Sequence, residues 1–427
     1  MRRTLFYIPD QIAGWPVFGI GIALTIWLIV SVLALLYTVR RRGWDGEATA
    51  QLPMIGLVSA AIIWLLPRIV ETVDVGILQV PPVDAARGLP IRGYGMLLLL
   101  AVVSGVSLAA HRARRAGLSV DIIISLAFSM VLIGIVGARV FFIIQYWDLL
   151  RAPTFAETLG NLLSVDKGGL VVYGSLIGAM ISLAYFAIRY RVPLLPLGDL
   201  IAPSMALGLA LGRLGCLMNG CCFGGQCDHA WAVTFPAGSP PYVDQLGAGK
   251  FHGLEFGDQA DGVVEVTDVL PGRPAAMSGV SVGQRVMAIN GYPVSTAAEA
   301  RGVMESAASQ LELTLVDGSR IVVRASDLPA RSLPVHPTQI YSAINAGLLC
   351  LLSLALYPYR QKHGQVLAAL LTAYAVTRFL LEIIRTDEGG FLATLTISQS
   401  VSVAMGIGLL ALWFVIQRQP NIESPSA

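Results

Sequence analysis

Long apolar runs constrain the fold of this chain more than any other feature of its sequence. The first of them, residues 17–39, is 23 residues long and contains no charged side chain. A helix rises about 1.5 Å per residue, so about 20 apolar residues cross the hydrocarbon core of a bilayer. Lipid offers no partners for backbone N–H and C=O groups, and a helix satisfies them internally. The chain is 55% hydrophobic and 13% charged, which favours an all-α polytopic membrane protein.

The apolar runs recur often enough to predict about nine transmembrane helices. The second run is the weakest, because Pro67 and Arg68 interrupt it. Basic residues follow alternate runs, and cytoplasmic loops carry an excess of lysine and arginine. This alternation predicts an amino terminus outside and a carboxyl terminus in the cytoplasm. The predicted spans are 17–39, a run beginning near 54, 93–110, 120–144, 168–188, 194–218, 340–357, 366–384 and 397–416.

One long segment, residues 226–334, is charged, rich in turns and contains no apolar run of spanning length. By the alternation of the spans it faces the extracytoplasmic side. Residues 263–266 alternate like a strand, and Asn290-Gly291 follows a second β-like run as a hairpin turn would. Pro274-Ala275-Ala276 begins a short helix between them. Over about residues 255–328 this small α+β pattern resembles a bacterial PDZ domain, a class that binds extended peptide ends. A spacer without a ligand is the alternative.

Three arginines lie within or at the edge of apolar runs: Arg139, Arg213 and Arg378. An arginine keeps its charge, and at membrane depth it costs about 2.5–3.5 kcal/mol on insertion scales. Glu382 and Arg385 share a helix face with Arg378, so we expect Glu382 to orient Arg378, with Arg385 nearer the water. Glu382 is the only acidic candidate that we expect deep in the spans. The excess positive charge predicts an anionic ligand, and in a bilayer that is a lipid phosphate. The alternatives are an arginine that snorkels to the headgroups and an ion-pair network that fixes helix register.

Polar side chains that could bind a ligand recur beside these arginines. Asn219 follows Arg213, and Tyr374 lies one turn before Arg378. Other such side chains stand at the starts of spans, where an interfacial anchor is the alternative explanation for a tyrosine. These are Tyr94, Tyr173, His336 and Tyr341.

Four of the five cysteines fall within twelve residues of one another, just after Arg213: Cys216, Cys221, Cys222 and Cys227. Three readings stay open. They are disulfides on the oxidising outer face, small inert packing residues, and a thiol that carries a covalent intermediate or binds metal with His229 or Asp228. Their spacing matches no standard zinc-binding motif, so the sequence predicts no metal and no cofactor.

Several motifs follow one another along the chain. They are Ile91-Arg92-Gly93-Tyr94-Gly95, Gly137-Ala138-Arg139, Gly168-Gly169-x-x-x-Tyr173-Gly174, Asp199-x-x-Ala202-Pro203, Gly212-Arg213-x-Gly215-x-x-x-Asn219-Gly220, His336-Pro337-Thr338-Gln339-x-Tyr341 and Arg378-x-x-x-Glu382-x-x-Arg385. Together they resemble the bacterial prolipoprotein diacylglyceryl transferase family. The resemblance covers roughly residues 91–225 and 335–417 and implies a seven-helix core.

The resemblance implies that the chain moves the diacylglyceryl group of phosphatidylglycerol to a cysteine thiol in a prolipoprotein signal peptide. The expected location is the bacterial inner membrane, and the expected partners are that lipid, that signal peptide and a possible peptide ligand of the PDZ-like segment. By motif position, the catalytic residues are Arg213, Arg378 and Tyr173. The substrate-binding residues are Arg139, Tyr94, Asn219, Tyr374, His336, Tyr341, Glu382 and Arg385.

The resemblance also implies a division into domains. The predicted parts are an N-terminal extension with two helices (1–86), the first part of the core (87–225), the insertion (226–334), the second part of the core (335–417) and a tail (418–427).

The chain departs from the family pattern at four positions, which leaves the acceptor open. Tyr173 stands in place of a histidine, Cys216 in place of an asparagine, and Cys221 and Ser342 in place of glutamates. A non-catalytic scaffold that binds phospholipid and captures a protein partner through the PDZ-like segment is therefore the second hypothesis. A transporter is less favoured, because the sequence contains no internal repeat.

Overall fold

A computed structural model describes residues 4–44, 46–67, 88–163, 169, 171–259, 262–306, 310–324, 328–385, 390–392 and 395–422. Arg68 and Gly168, which the sequence analysis named, lie outside these residues. By its internal contacts the chain divides into two compact units. One unit, called the insertion unit because it includes the insertion at residues 226–334, contains the described residues of Ala210–Ala346 and Ala373–Gly408. The helical unit contains the described residues of Thr4–Leu209, Gly347–Thr372 and Leu409–Ala427.

Seven helices among the described residues are long and apolar enough to cross a membrane. Each overlaps one of the predicted spans, so the molecule is a mostly helical membrane protein with several spans. The seven helices are Ile22–Arg42, Gly93–Arg115, Val120–Gln145, Leu194–Asn219, Thr338–Leu356, Gln365–Glu382 and Ile397–Gln417.

The other two predicted spans coincide with helices that do not reach this length and hydropathy. Gly46–Ala60 contains Pro53 and continues as a π-helix, Ala61–Leu65. Val172–Tyr190 is 19 residues long and contains several glycines and serines. The predicted count of nine spans is therefore not confirmed. The shorter helices are Trp147–Leu150, Phe155–Leu163, Pro240–Gly247, Pro274–Met277, Ala297–Ser306 and a 3₁₀ turn, Tyr357–Tyr359.

Within the helical unit, Val120–Gln145 and Val172–Tyr190 pack with their backbones in close approach. A Cβ atom on Gly174 would lie 2.3 Å from the carbonyl oxygen of Gly137, and a Cβ on Gly137 would lie 2.4 Å from that of Gly174. Small residues that permit such approach drive helix association in membranes. Farther along the same pair of helices, the hydroxyls of Ser129 and Ser182 lie 2.7 Å apart. Glycine at position 174 is thus required by packing.

Asp199 caps the amino end of the helix Gln365–Glu382 from a separate segment of the helical unit. Its carboxylate accepts hydrogen bonds from the backbone N–H groups of Gly364 and Leu367, at 2.6 and 2.9 Å. Arg360 lies 3.9 Å from the same carboxylate. These N–H groups have no partner within their own helix, so an acidic side chain there stabilises the helix end.

The insertion contains a six-stranded antiparallel sheet. Leu254–Asp258 is one of its two edge strands, and Arg320–Arg324 is the other. The turn predicted at Asn290-Gly291 joins two paired strands, and φ is positive at both of its residues. In the order of the sheet, the strands are Arg320–Arg324, Gln310–Leu315, Arg285–Ile289, Val264–Val269 and Leu254–Asp258, and Tyr292–Pro293 pairs with Arg285–Ile289.

The sheet encloses a core of its own. Val264, Val286, Ile289 and Leu313 are fully buried in it and pack with Met304 of the helix Ala297–Ser306. The alternation of buried and exposed residues along Gln310–Leu315 is the pattern of a strand with one face on a core. The remaining pairs of strands are Thr4–Pro9 with Gly88–Arg92, Gln11–Ile12 with Trp15–Pro16, and Gly390–Leu392 with Leu395–Thr396.

Candidate active site

A buried ion network lies at the carboxyl end of the helix Gln365–Glu382, in the insertion unit. Glu382 is 1% exposed and accepts a hydrogen bond from the guanidinium of Arg378, one turn earlier. Arg385, just beyond the helix, lies 3.4 Å from the same carboxylate oxygen. Glu382 therefore orients two arginines, as the helical spacing predicts for Arg378.

Polar residues of the following segment complete this network. Ser398 accepts a hydrogen bond from Arg378 at 2.8 Å, and Thr396 donates to the second oxygen of Glu382 at 3.4 Å. Sequence reasoning missed both residues. The only available signal was the run of hydroxyl and amide side chains at the start of the last span.

One sequence-based expectation about charge is wrong. Glu382 is not the only deep acid, because Asp199 is fully buried beside Arg360. Tertiary contacts cover this carboxylate, which its own helix would leave open. The side chains of Arg385 and Arg378 are 8% and 15% exposed, and which of the two lies nearer the water stays a prediction.

Arg213 stands near the end of the helix Leu194–Asn219. The helix ends at Gly220, whose N–H bonds to the carbonyl of Cys216 at 2.8 Å and whose φ is +80°. This left-handed glycine is the usual way for a helix to end. The half-buried guanidinium of Arg213 interacts electrostatically with Cys222, Tyr374, Cys216 and Arg385. The structure therefore brings Arg213 and the Arg378 helix to one region of the insertion unit.

Backbone pairing fixes the loop that follows Gly220 to two other motifs. The N–H of Gly224 bonds to the carbonyl of His336 at 3.0 Å, and the N–H of Gly225 bonds to that of Ile384 at 3.0 Å. A Cβ on Gly224 would lie 2.7 Å from side-chain atoms of His336 and Thr338. The loop therefore needs glycine here, and it holds His336 and Arg385 on either side.

His336 and Tyr341 belong to a small aromatic cluster. The Tyr341 hydroxyl accepts a hydrogen bond from Trp231 at 2.7 Å and lies 3.4 Å from Nδ1 of His336. His229 stacks on Trp231 and lies 5.4 Å from the ring of His336. The sequence did not predict that Trp231 and His229 lie against the His336 motif.

The thiols of Cys216, Cys221 and Cys222 converge, and all three sulfur atoms lie within 4.8 Å of one another. All five cysteines of the chain are described, and each carries a free thiol. Hydrogen bonds from the thiols of Cys216 and Cys222 lower the pKa of Cys221, and the Asn219 side chain adds to this effect. Of the described residues, these three could hold a metal ion together.

The remaining predicted site residues belong to the helical unit. Arg139 donates to the backbone carbonyls of Leu162, Gly169 and Asn161, at 3.0, 3.2 and 2.7 Å. Tyr94 is 39% exposed and Tyr173 is 44% exposed. Arg139 therefore binds a loop of its own unit, a role that sequence reasoning did not predict.

The insertion unit thus presents several cationic groups beside thiols and phenols. The carboxylate of Glu382 pairs with the guanidiniums of Arg378 and Arg385. The guanidinium of Arg213 interacts electrostatically with two thiols, the Tyr374 phenol and Arg385. Buried arginines in this arrangement favour a bound anion with several oxygen atoms, such as a phosphate.

Comparison with known proteins identifies what this chain is similar to. Residues 82–415 match the family model described as prolipoprotein diacylglyceryl transferase. A phosphatidylglycerol–prolipoprotein diacylglyceryl transferase of Rhodopirellula baltica is 37% identical over 100% of this chain and 91% of its own length. One of Deinococcus radiodurans is 36% identical over 30% of this chain and 38% of its own length. A second such transferase of Clostridium perfringens is 22% identical over 76% of this chain and 91% of its own length.

Proposed function

This chain belongs to the prolipoprotein diacylglyceryl transferase family, and from that premise we propose that it transfers the diacylglyceryl group of phosphatidylglycerol to the cysteine thiol of a prolipoprotein. The observation that carries the proposal is a group of arginines in the insertion unit: Arg378 and Arg385 share the carboxylate of Glu382, and Arg213 interacts electrostatically with Arg385. Such a group binds a phosphodiester and also stabilises the negative charge that grows on the phosphate as it leaves.

The reaction needs a thiolate and a stabilised leaving group. The acceptor sulfur attacks the glyceryl carbon that carries the phosphate, a C–S bond forms, and the C–O bond to the phosphate breaks. The phosphodiester carries one negative charge and the released glycerol phosphate carries two, so cationic groups that face it lower the barrier. Arg213 and Arg378 perform this role, and Glu382 with Ser398 holds the Arg378 guanidinium in place.

The other predicted site residues have roles that follow from their contacts or their motif positions. Asn219 and Tyr374 line the site beside Arg213. The backbone of His336 pairs with Gly224 and Gly225, and Tyr341 lies beside the His336 ring. Arg139 is assigned to substrate binding by its motif position alone, and its guanidinium donates to three backbone carbonyls of its own unit. Tyr173 is assigned to catalysis and Tyr94 to substrate binding, and both assignments rest on the motifs alone.

We further propose nine membrane spans in a bacterial inner membrane, with the amino terminus outside and the insertion extracytoplasmic. Support comes from basic residues after alternate spans and from helices at both weaker predicted spans, Gly46–Ala60 and Val172–Tyr190. The domain boundaries predicted from the sequence, with a core at 87–225 and 335–417, follow from the same arrangement.

The PDZ-like assignment of residues 255–328 is also a proposal, and a groove supports it. A cavity of about 380 Å³ lies between the edge strand Leu254–Asp258 and the helix Ala297–Ser306. Lys250 and Arg301 line it and pair with Glu255 and Asp244. An extended peptide adds to a free sheet edge through its main chain, so a peptide carboxyl end fits this groove.

The test uses the purified full chain with labelled phosphatidylglycerol and a peptide that carries a lipoprotein signal-peptide cysteine. Wild-type protein should release glycerol phosphate and form a thioether. Arg213→Ala and Arg378→Ala should each lower the rate by about 10²–10³-fold, the usual loss for one donor to a developing anion. Arg114→Ala, an exposed arginine at a helix end, is the matched control and should retain full activity.

A second assay asks whether the gene for this chain supports growth of a strain depleted of its own transferase. Absence of glycerol phosphate release with cysteine acceptors, together with retained lipid binding, would favour the scaffold hypothesis instead.

A further inference from the structure

The convergence of three thiols follows from how one helix ends. Cys216 lies in the last turn of the helix Leu194–Asn219, and the chain then reverses at Gly220. Cys222 itself has a φ of +59°, in the left-handed region that a residue with a side chain seldom adopts. These two turns direct Cys221 and Cys222 back toward Cys216. A strained backbone that places reactive side chains together is a feature of functional sites.

Buried side chains hold the cysteine loop in this conformation. The hydroxyl of Thr338 donates to the carbonyl of Cys222 at 2.6 Å, and the amide of Gln339 donates to that of Cys221 at 2.8 Å. Thr338 is 1% exposed, and Gln339 is fully buried. The three sulfur atoms are therefore positioned before any ligand binds.

The separation of the sulfur atoms suits a shared metal ion. Zinc binds thiolate sulfur at about 2.3 Å in tetrahedral sites, so two of its sulfur ligands lie roughly 3.8 Å apart. The three sulfur atoms all lie within 4.8 Å of one another, so shifts of an ångström or less bring them to that spacing. A disulfide would use two of the three sulfur atoms and leave the third unused. Three thiolates favour a soft cation over magnesium or calcium.

We propose that Cys216, Cys221 and Cys222 bind one zinc ion, and that the fourth position of this ion receives the acceptor cysteine as a thiolate. The proposal rests on the proposed function and supplies its missing step. A zinc site with three protein ligands keeps one position open for a substrate, and a thiol bound to zinc is deprotonated. Arg213 lies one turn before Cys216 and interacts electrostatically with Cys216 and Cys222, so the bound thiolate would face the phosphate site.

The reaction balances with this ion in place. The acceptor thiol loses its proton to water on binding zinc. Its sulfur then forms the C–S bond to the glyceryl carbon while the C–O bond to the phosphate breaks. Glycerol phosphate leaves as a dianion, which can take up the released proton, and the thioether, which is a weaker ligand than a thiolate, dissociates. The zinc ion changes neither charge nor oxidation state.

The size of the effect follows from the ionisation of an ordinary thiol. With a pKa of about 8.5, roughly 3% of free cysteine is thiolate at pH 7, so complete ionisation increases the reactive form about thirtyfold. The zinc form should therefore have a rate that changes little between pH 6.5 and 9. Zinc-free protein should react about thirtyfold more slowly at pH 7, with a rate that rises about tenfold per pH unit.

The binding experiment measures metal directly in the purified full chain. Elemental analysis should find one zinc ion per chain in the wild type, and less than a fifth of that in Cys222→Ser and Cys221→Ser. Cys350→Ala and Cys227→Ser are matched controls that should keep full zinc content, because neither sulfur belongs to the cluster. Equal elution volumes on size exclusion show that the variants are folded.

A spectroscopic experiment on the wild type avoids variants altogether. Cobalt(II) in the site should give thiolate charge-transfer bands, and these should intensify when the acceptor peptide is added. The same peptide with serine in place of its cysteine should leave the spectrum unchanged. A spectrum that responds equally to both peptides would overturn the assignment of the fourth position.

The outcomes separate this proposal from the function on which it rests. Full zinc content in Cys222→Ser, or wild-type protein that is equally active without zinc, overturns the metal proposal and leaves the transferase intact. Protein that binds zinc and responds to the cysteine peptide, yet releases no glycerol phosphate, overturns the transferase and leaves the metal site intact.

Discussion

Glu382→Gln should cost both stability and activity, because one carboxylate serves two buried guanidiniums. Glu382 is 1% exposed and interacts with Arg378, Arg385 and Thr396. Glutamine keeps the size of the side chain but removes its charge. Breaking a buried ion pair by neutralising one partner costs about 3–5 kcal/mol, since the other charge stays buried without compensation.

The assay compares unfolding of the full chain in micelles that contain either phosphatidylglycerol or phosphatidylcholine. In phosphatidylcholine, the free energy of unfolding should fall by about 3–5 kcal/mol. A ligand that binds only the folded state stabilises it by about 2.7 kcal/mol at a hundred times its dissociation constant. Phosphatidylglycerol should therefore recover a large part of the loss. The transfer rate should fall about 10²-fold, the cost of moving a reacting group by roughly 1 Å.

An exposed ion pair provides the control. Glu312 pairs with Arg320 at 2.9 Å on the surface of the sheet, where such pairs contribute about 0.2–1 kcal/mol. Glu312→Gln should therefore change little. The double variant Glu382→Gln/Arg385→Gln should be more stable than Glu382→Gln alone, because it removes one uncompensated charge. If Glu382→Gln behaves like Glu312→Gln and keeps its activity, the arrangement of charges described above is wrong.

Three further predictions address packing, pH and capping. Gly174→Val should destabilise the folded chain by about 1–3 kcal/mol, because its Cβ would lie 2.3 Å from the backbone of the neighbouring helix. Gly347→Ala should leave the stability unchanged, because no described atom outside its own stretch of helix lies within 4 Å of the added Cβ. Thermal unfolding of both variants checks this prediction. Burial lowers the pKa of His252 to about 4, against about 6.5 unfolded, so the insertion should lose about 3 kcal/mol as the pH falls from 6.5 to 4. Hydrogen exchange of the sheet at several pH values checks this slope, which His252→Leu should abolish. Asp199→Ala should cost about 0.5–2 kcal/mol and raise amide exchange at the start of the helix Gln365–Glu382.

The spans that the sequence predicted well are those whose helices are long and apolar enough to cross a bilayer. The length and hydropathy of Val120–Gln145 are set by the bilayer, and both can be read from the sequence. Val172–Tyr190 is harder to recognise because glycine and serine replace larger apolar residues where it packs on its neighbour. The glycines and serines that allow this helix to pack closely also lower its mean hydropathy. The packing contact therefore weakens the hydropathy signal by which a span is recognised in the sequence.

The site shows a similar division between local and tertiary information. The spacing of Arg378 and Glu382 predicted their ion pair, because residues four apart share a helix face. Ser398 could not be predicted, since its contact with Arg378 depends on how a later helix packs. The convergence of the cysteines depends on the backbone at Gly220 and Cys222, which spacing alone does not encode.

Arg139, Arg378 and Arg213 lie in similar apolar stretches of the sequence, but their guanidinium groups contact different partners. Arg139 donates to three neutral carbonyls of one loop, so its guanidinium is oriented by backbone and its donors are occupied. Arg378 and Arg385 share the carboxylate of Glu382, which orients the Arg378 guanidinium. These three described side chains together keep a net positive charge. Arg213 faces thiols, a phenol and another guanidinium. Because the thiols and the phenol beside Arg213 are uncharged when protonated, we expect a bound phosphate to stabilise this guanidinium more than that of Arg378, which already shares a carboxylate. We therefore expect substrate binding to depend more on Arg213 than on Arg378.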